Sequence, residues 1–274
     1  MPKPVILTMT SIPPRTAFLE KKIDSIKRQT IQPDAFEIYI PKSYRRFPDQ
    51  QFRVKNLPSW VDVITTDEDL GPATKILPAY KKWAGKDVDL LVCDDDRIHD
   101  AHWIERLRAQ RVKHPHDIIC ERGWNIQERY SIGMTPTKQP RARLSPSGGR
   151  TASYRLMRLL SLGLHHPSRS IYEAAGYVDV FEGFLGALIP TTAFHERVFD
   201  IPDVVWMVDD VWLSAMAAAQ GTGIWAHAEP RPVFGNSRRD KVHALTDYTE
   251  DNVGRNDAEL ICIELVREQF GVWT

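Results

Sequence analysis

Asp94, Asp95 and Asp96 stand together at the end of the apolar run 90–93, in the stretch LLVCDDDRIH. Neighbouring carboxylates repel, and each raises the cost of ionising the next. A triplet in this place therefore calls for a positive partner, and a divalent cation carried on phosphate oxygens is a natural one. Mg²⁺ and Mn²⁺ take oxygen ligands, binding through one or two carboxylates while phosphate fills other positions. On an extended segment, residues two apart project to the same side, which pairs Asp94 with Asp96 and leaves Asp95 to turn toward a ribose or the protein. The plainer alternative is an acidic turn before a helix over 103–112. A second acidic pair, Asp209 and Asp210 in VDDVWLS, precedes Val211, Trp212, Met216 and Ala219 at helical spacing. A carboxylate there can act as a general base, or simply cap a helix start, where exposed amides favour negative charge.

A third stretch, DLGPATK, carries anion chemistry. Gly71 before Pro72 permits a tight entry into a helix over 72–83 whose first amides favour phosphate, and Lys75 lies within that first turn.

These residues need elements that bring them together. Residues 5–8, 36–40, 61–65 and 90–93 read as buried strands. Between them run helical patterns: after the Pro13-Pro14 turn, Thr16 can cap a helix carrying Leu19, Ile23 and Ile26, and 72–83 places Ile76, Tyr80 and Trp83 on one side. Alternating strands and helices imply a parallel sheet. Ligands of such sheets bind beyond the carboxyl ends of the strands, where residues 10–15, 69–75 and the aspartates all lie. Three loops are thereby aimed at one crevice.

Composition limits the partners. The 274 residues are 42% hydrophobic, enough for one substantial core, and 36 basic against 36 acidic side chains leave no global field for nucleic acid. Cys93, Cys120 and Cys262 are odd in number, distant and set in apolar surroundings, which suits reduced core thiols and a cytoplasmic setting. The N-terminus enters a strand without a signal-type apolar segment, and no apolar run approaches spanning length, so any membrane contact is expected from the surface.

The second half is less regular. Residues 129–172 hold no aspartate or glutamate but carry Arg129, Lys138, Arg141, Arg143, Arg150, Arg155, Arg158 and Arg169. Proline and the Gly148-Gly149 pair make the first part a loop, and 154–164 reads as a helix with arginines beside leucines. Such a segment is either a solvated basic face or a site for an anionic acceptor glycan, a lipid diphosphate or a membrane surface, with Arg155 and Arg158 as the acceptor contacts. Trp206, Trp212 and Trp225 are either core residues or platforms for sugar rings, Trp212 being assigned to the acceptor.

With LTMTSIPPR, DLGPATK, the Asp-x-Asp of VCDDDRIH and VDDVWLS in view, the chain resembles nucleotide-sugar-dependent glycosyltransferases of the GT-A fold, especially bacterial family-2-like enzymes. The resemblance covers roughly the first hundred residues and then 181–218. It implies an α/β fold with a GT-A-type, Rossmann-like, mainly parallel sheet flanked by helices and a C-terminal acceptor-side subregion, residues 1–120 forming the nucleotide-sugar half and 121–274 the acceptor half of one domain. It implies that Thr10, Ser11 and Arg15 approach the nucleotide with Asp95, that Asp69, Gly71 and Lys75 flank it, and that Asp94 and Asp96 hold Mn²⁺ or Mg²⁺ on the diphosphate. VDDVW resembles the family's Glu-Asp motif, which places Asp210 as the base of an inverting reaction, with Asp209 where a glutamate is usual. A late histidine often completes the metal shell; His243 is assigned to it, with His227 as competitor. The implied donor is a nucleotide sugar, UDP-linked by preference. The implied acceptor is a glycan or lipid-linked glycan in bacterial surface polysaccharide assembly, at the inner face of the membrane. Two alternatives remain: a sugar-nucleotide nucleotidyltransferase, although residues 8–15 lack that class's glycine-rich loop, and a catalytically silent glycan-binding relative.

Overall fold

The computed structural model describes residues 2–54, 57–162, 167–232, 248–249 and 253–274. Eight strands form one sheet: β1 (Val5–Thr10), β2 (Ala35–Pro41), β3 (Val61–Thr66), β4 (Asp89–Val92), β5 (Ile118–Cys120), β6 (Gly176–Tyr177), β7 (Ala187–Pro190) and β8 (Ile224–Ala226). Their spatial order is β6-β8-β5-β7-β4-β1-β2-β3. Six strands run one way; β7, between β4 and β5, and β6 at the edge run against them. This is the mainly parallel, helix-flanked sheet that the motifs imply, and it takes strands from both halves of the chain.

The central strands β1 and β4 are buried along almost their whole length because both their faces are covered. Val5, Leu7, Met9 and Leu91 pack with Leu19, Ile23 and Ile26 of α1 (Leu19–Lys27) and with Trp103, Ile104 and Leu107 of α3 (Trp103–Lys113). Ile6, Leu90 and Val92 face the opposite layer, where α2 (Leu77–Lys82), α6 (Asp209–Ala219) and α7 (Arg255–Phe270) supply Leu77, Leu213 and Ile263. Two further helices, α4 (Ile126–Tyr130) and α5 (Ala152–Leu160), lie in the second half of the chain. Cys93, Cys120 and Cys262 are buried free thiols, as their apolar surroundings suggest.

Two local expectations change. Thr16 caps no helix: it sits inside a 3-10 turn, Pro13–Phe18, and its hydroxyl donates to the Pro13 carbonyl. The helix over 72–83 divides into a 3-10 turn, Gly71–Lys75, and α2, with Ile76 at φ −117° between them. Pro78 has no N–H to give to the carbonyl of Thr74, and the Lys75 carbonyl is drawn aside by the Thr8 hydroxyl, so a regular helical ladder cannot run through this point. The break has a use. It turns Lys75 inward, under the aspartates.

Candidate active site

The carboxyl ends of β1, β2, β3 and β4 all empty into one cleft of about 400 Å³. Thr10, Ser11 and Arg15 come from the loop after β1, Tyr44, Arg46 and Phe47 from the loop after β2, Asp69, Gly71 and Lys75 from the loop after β3, and Asp94, Asp95 and Asp96 from the end of β4. Asp210, at the start of α6, closes the far side with Trp124, Arg129, Glu182, Phe184, Arg255 and Glu259. That four consecutive parallel strands deliver side chains to one place follows from their common direction.

The positive partners of the aspartate triplet come from the chain itself. Arg15 Nη1 lies 3.2 Å from Asp95 and 3.0 Å from Asp96, and the Ser11 hydroxyl donates to Asp95. The strict alternation expected of an extended segment is absent, because Asp95 and Asp96 lie in a turn that lets one guanidinium hold both. Lys75, 3% exposed, places Nζ 3.0 Å from Asp94 Oδ1 and 3.3 Å from Asp209 Oδ2. One ammonium thus joins the end of β4 to the start of α6.

Burial and these pairings set the protonation states. Desolvation alone would lower the Lys75 pKa, but Asp209, Asp94 and Asp210 reverse this and hold it well above the ordinary value. Burial would raise Asp94, yet the Lys75 ammonium and its hydrogen bond carry it below the usual carboxylate range. Asp96 goes the other way, pushed by burial and then by Asp94 to about 6. Asp210 is pushed to about 8 by burial and then by Asp209, with Lys75 opposing.

Asp210 does not cap its helix. No side chain caps α6; instead Asp210 Oδ1 accepts the Gly183 N–H at 3.1 Å, which fixes the carboxyl against the cleft wall. Asp209 is turned to Lys75, away from its own helix amides.

The donor set suits a two-carboxylate cation site. Lys75 engages Asp94 through Oδ1 and Arg15 engages Asp96 through Oδ2, while Asp96 Oδ1 is buried without a hydrogen-bond partner, with Arg97 Nε 3.8 Å away. A buried, partnerless carboxylate oxygen in the cleft fits Mg²⁺ or Mn²⁺, which needs only one or two carboxylates when other oxygen ligands and water complete the shell. Among the described residues no third His, Cys, Asp or Glu joins them as a preformed cage. His243 lies outside the described residues. His227 is buried 3.6 Å from Glu121, in a network with Arg231 and Arg106, and does not line the cleft.

The remaining expected contacts divide. Thr10 lines the cleft, but its hydroxyl donates to the Tyr39 carbonyl. The Asp69 carboxylate accepts the N–H groups of Arg45 and Gly71 and so shapes the loop. Gly71 adopts φ +57°, and a Cβ there would lie 2.6 Å from the Trp206 ring. Trp206 borders the cleft and donates from Nε1 to the Asp69 carbonyl. Trp212, expected at the acceptor, is fully buried in α6 outside the cleft lining, its indole N–H spent on the Val198 carbonyl. Arg155 and Arg158 are on α5, outside the cleft lining.

Sequence reasoning passed over Tyr44, Arg46 and Phe47, although their position just after β2 is the same strand-end signal that singled out the other loops. It also passed over Arg255 and Glu259, which reach the cleft from the first turns of α7 and carry no local motif.

No family model matches the sequence, and no curated protein matches it. Among solved structures the chain is similar to S. aureus TarS residues 1–349 (11% identity, TM-score 0.42, covering 84% of this chain and 58% of that one). It is also similar to a longer S. aureus TarS structure (11% identity, TM-score 0.41, 84% of this chain and 35% of that one). A third is a 4-diphosphocytidyl-2C-methyl-D-erythritol synthase (13% identity, TM-score 0.46, 97% of this chain and all of that one). The chain spans little more than half of the first of these and about a third of the second.

Proposed function

We propose that the protein transfers a sugar from a nucleotide-diphosphate donor to a hydroxyl of a glycan or lipid-linked glycan, with inversion at the anomeric carbon. One observation carries the reading: Asp94 and Asp96 at the end of β4 and Asp210 at the start of α6 line one cleft, with Lys75 buried between the two acidic groups. Leaving group and nucleophile thereby have separate stations.

The nucleoside is assigned to the pocket of Tyr44, Arg46 and Phe47 beside Trp206, where aromatic faces and a guanidinium suit a base and ribose, UDP by preference. Asp94 and Asp96 would hold Mn²⁺ or Mg²⁺ at the diphosphate, which supplies positive charge to the departing phosphate. The acceptor enters on the side of Trp124, Arg129 and Arg255. Its hydroxyl oxygen bonds to the anomeric carbon as the bond from that carbon to the phosphate oxygen breaks. Asp210 takes the hydroxyl proton. A hydroxyl is a poor nucleophile until a positioned base accepts its proton, and a carboxylate with its pKa near 8 is a far stronger base than an ordinary one. The Gly183 N–H keeps that carboxyl oriented. A place in surface polysaccharide assembly belongs to the same proposal.

The test is a nucleotide-sugar panel with Mn²⁺ or Mg²⁺, read first as thermal stabilisation and then as donor turnover. Release of nucleoside diphosphate, with the sugar passing to water or to an added glycan, supports the reading. Release of pyrophosphate from a nucleoside triphosphate and a sugar phosphate would replace it with nucleotidyl transfer. Stabilisation by the donor without turnover toward any acceptor or water would leave a binding protein.

A further inference from the structure

The helix α5 is built inside out. Leu156, Leu159 and Leu160 fall on one stripe of the helix by their three- and four-residue spacing, and a leucine stripe of this kind ordinarily faces a core. Here the three are 56%, 73% and 75% exposed, and Leu162, just beyond the helix, is 88% exposed. The side turned toward the protein is the polar one: Tyr154, Arg158 and Ser161 are half-buried, and Tyr154 packs against the Arg169 guanidinium. No residue of α5 is buried. The helix is nevertheless deliberately started, since the Thr151 hydroxyl accepts the Tyr154 N–H at its N-cap.

Its charge is equally one-sided. Arg150, Arg155 and Arg158 lie in or just before α5, and no acid occurs from residue 129 to residue 172. Elsewhere in that stretch Arg129, Arg141 and Arg143 are paired with Glu259, Asp179 and Glu173, whereas Arg150 and Arg155 stand at exposed positions beside the leucine stripe. Leucines presented outward and flanked by arginines are the composition of a helix that lies in a bilayer interface, apolar side in the acyl boundary and basic side among anionic headgroups. A second copy of the chain suits the surface less well. A few leucines fall short of the roughly 800 Å² per partner of a stable interface, and pairing α5 with itself would oppose like charges.

We propose that α5 docks the protein on an anionic lipid bilayer. The segment is tied to the cleft by Tyr172, whose hydroxyl accepts the Gly123 N–H at 2.8 Å and donates to the Gly123 carbonyl at 2.7 Å, next to Trp124 of the cleft wall. Docking through α5 would therefore hold the acceptor side of the cleft at a fixed relation to the lipid surface. Among the described residues no helix is long and apolar enough to cross a membrane, so this contact is peripheral.

The experiment is flotation of the whole chain with vesicles of phosphatidylcholine alone or containing about 30 mol% phosphatidylglycerol. The parent is expected on the anionic vesicles and not on the neutral ones. Leu156→Ser, Leu159→Ser and Leu160→Ser combined should lower the bound fraction at least about tenfold, while circular dichroism and nucleotide binding stay at parental values. Arg150→Gln with Arg155→Gln, or added salt, should weaken binding to the anionic vesicles in the same direction. Parental binding by the serine variant, or no flotation of the parent with either vesicle, overturns the assignment. So does a parent that is dimeric in solution and becomes monomeric in the serine variant without binding either vesicle, which would make α5 an interface between copies.

Discussion

Replacing Asp210 by asparagine separates its chemistry from its place in the fold. The amide nearly conserves volume, and its Oδ1 can still accept the Gly183 N–H, but it cannot take a proton from an acceptor hydroxyl. Loss of a general base predicts turnover reduced by roughly a hundredfold or more, with donor affinity little changed. Stability should move the other way. The Asp210 carboxyl is raised from 3.8 to about 8 in the native state, so between those values the folded chain holds a proton that the unfolded chain releases. Stability linked to this group is therefore present at low pH and is lost as pH rises from about 4 toward 8. At pH 7 the difference from 3.8, at roughly 1.4 kcal/mol per unit, sets an upper bound of about 4 kcal/mol. Asparagine removes that burden. Asp210→Asn should melt at or above the parental temperature near pH 8, the two curves converging near pH 4, and parental kcat/KM should climb through about pH 8 as the base is freed. Parallel melting series and sugar-transfer assays at several pH values check both arms. A variant that transfers sugar at the parental rate refutes the base, and one that loses stability as pH rises relative to the parent refutes the buried, proton-holding carboxyl.

Asp96→Asn should leave the fold intact and weaken Mn²⁺-dependent UDP binding at least about tenfold, measured by calorimetric titration, because it withdraws the partnerless oxygen at the triplet. Lys75→Met should cost on the order of 3–5 kcal/mol in urea unfolding, since it strands Asp94 and Asp209 without their shared ammonium. Gly71→Ala should destabilise by about 1–3 kcal/mol through its positive φ and the Trp206 ring, and pairing it with Trp206→Ala in a double-mutant cycle should show strong coupling. Trp212→Phe should lower stability with unchanged acceptor KM, its indole N–H being bonded inside the core.

What the sequence determined by itself is local and periodic. The apolar runs of β1, β2 and β4 and the Leu19, Ile23, Ile26 spacing of α1 follow from burial on repeating geometry, and alternation of such segments leaves a parallel sheet as the way to cover them. A parallel sheet places every strand's carboxyl end on one side, so topology alone assigns Ser11, Lys75 and Asp94 to one crevice. Only the tertiary structure decided which charges meet. Lys75 serves Asp94 and Asp209 because a broken helix turns it inward beneath β4 and α6, and Arg15 holds two adjacent aspartates because their backbone turns. Nothing in their spacing encodes either pairing. Trp206 and Trp212 stand six positions apart on either side of the Asp209-Asp210 pair, yet packing puts one at the cleft and the other in the core. The leucine stripe of α5 was legible as an amphipathic pattern, but periodicity says only that a helix has two faces; which one meets water depends on what the rest of the chain leaves to cover it.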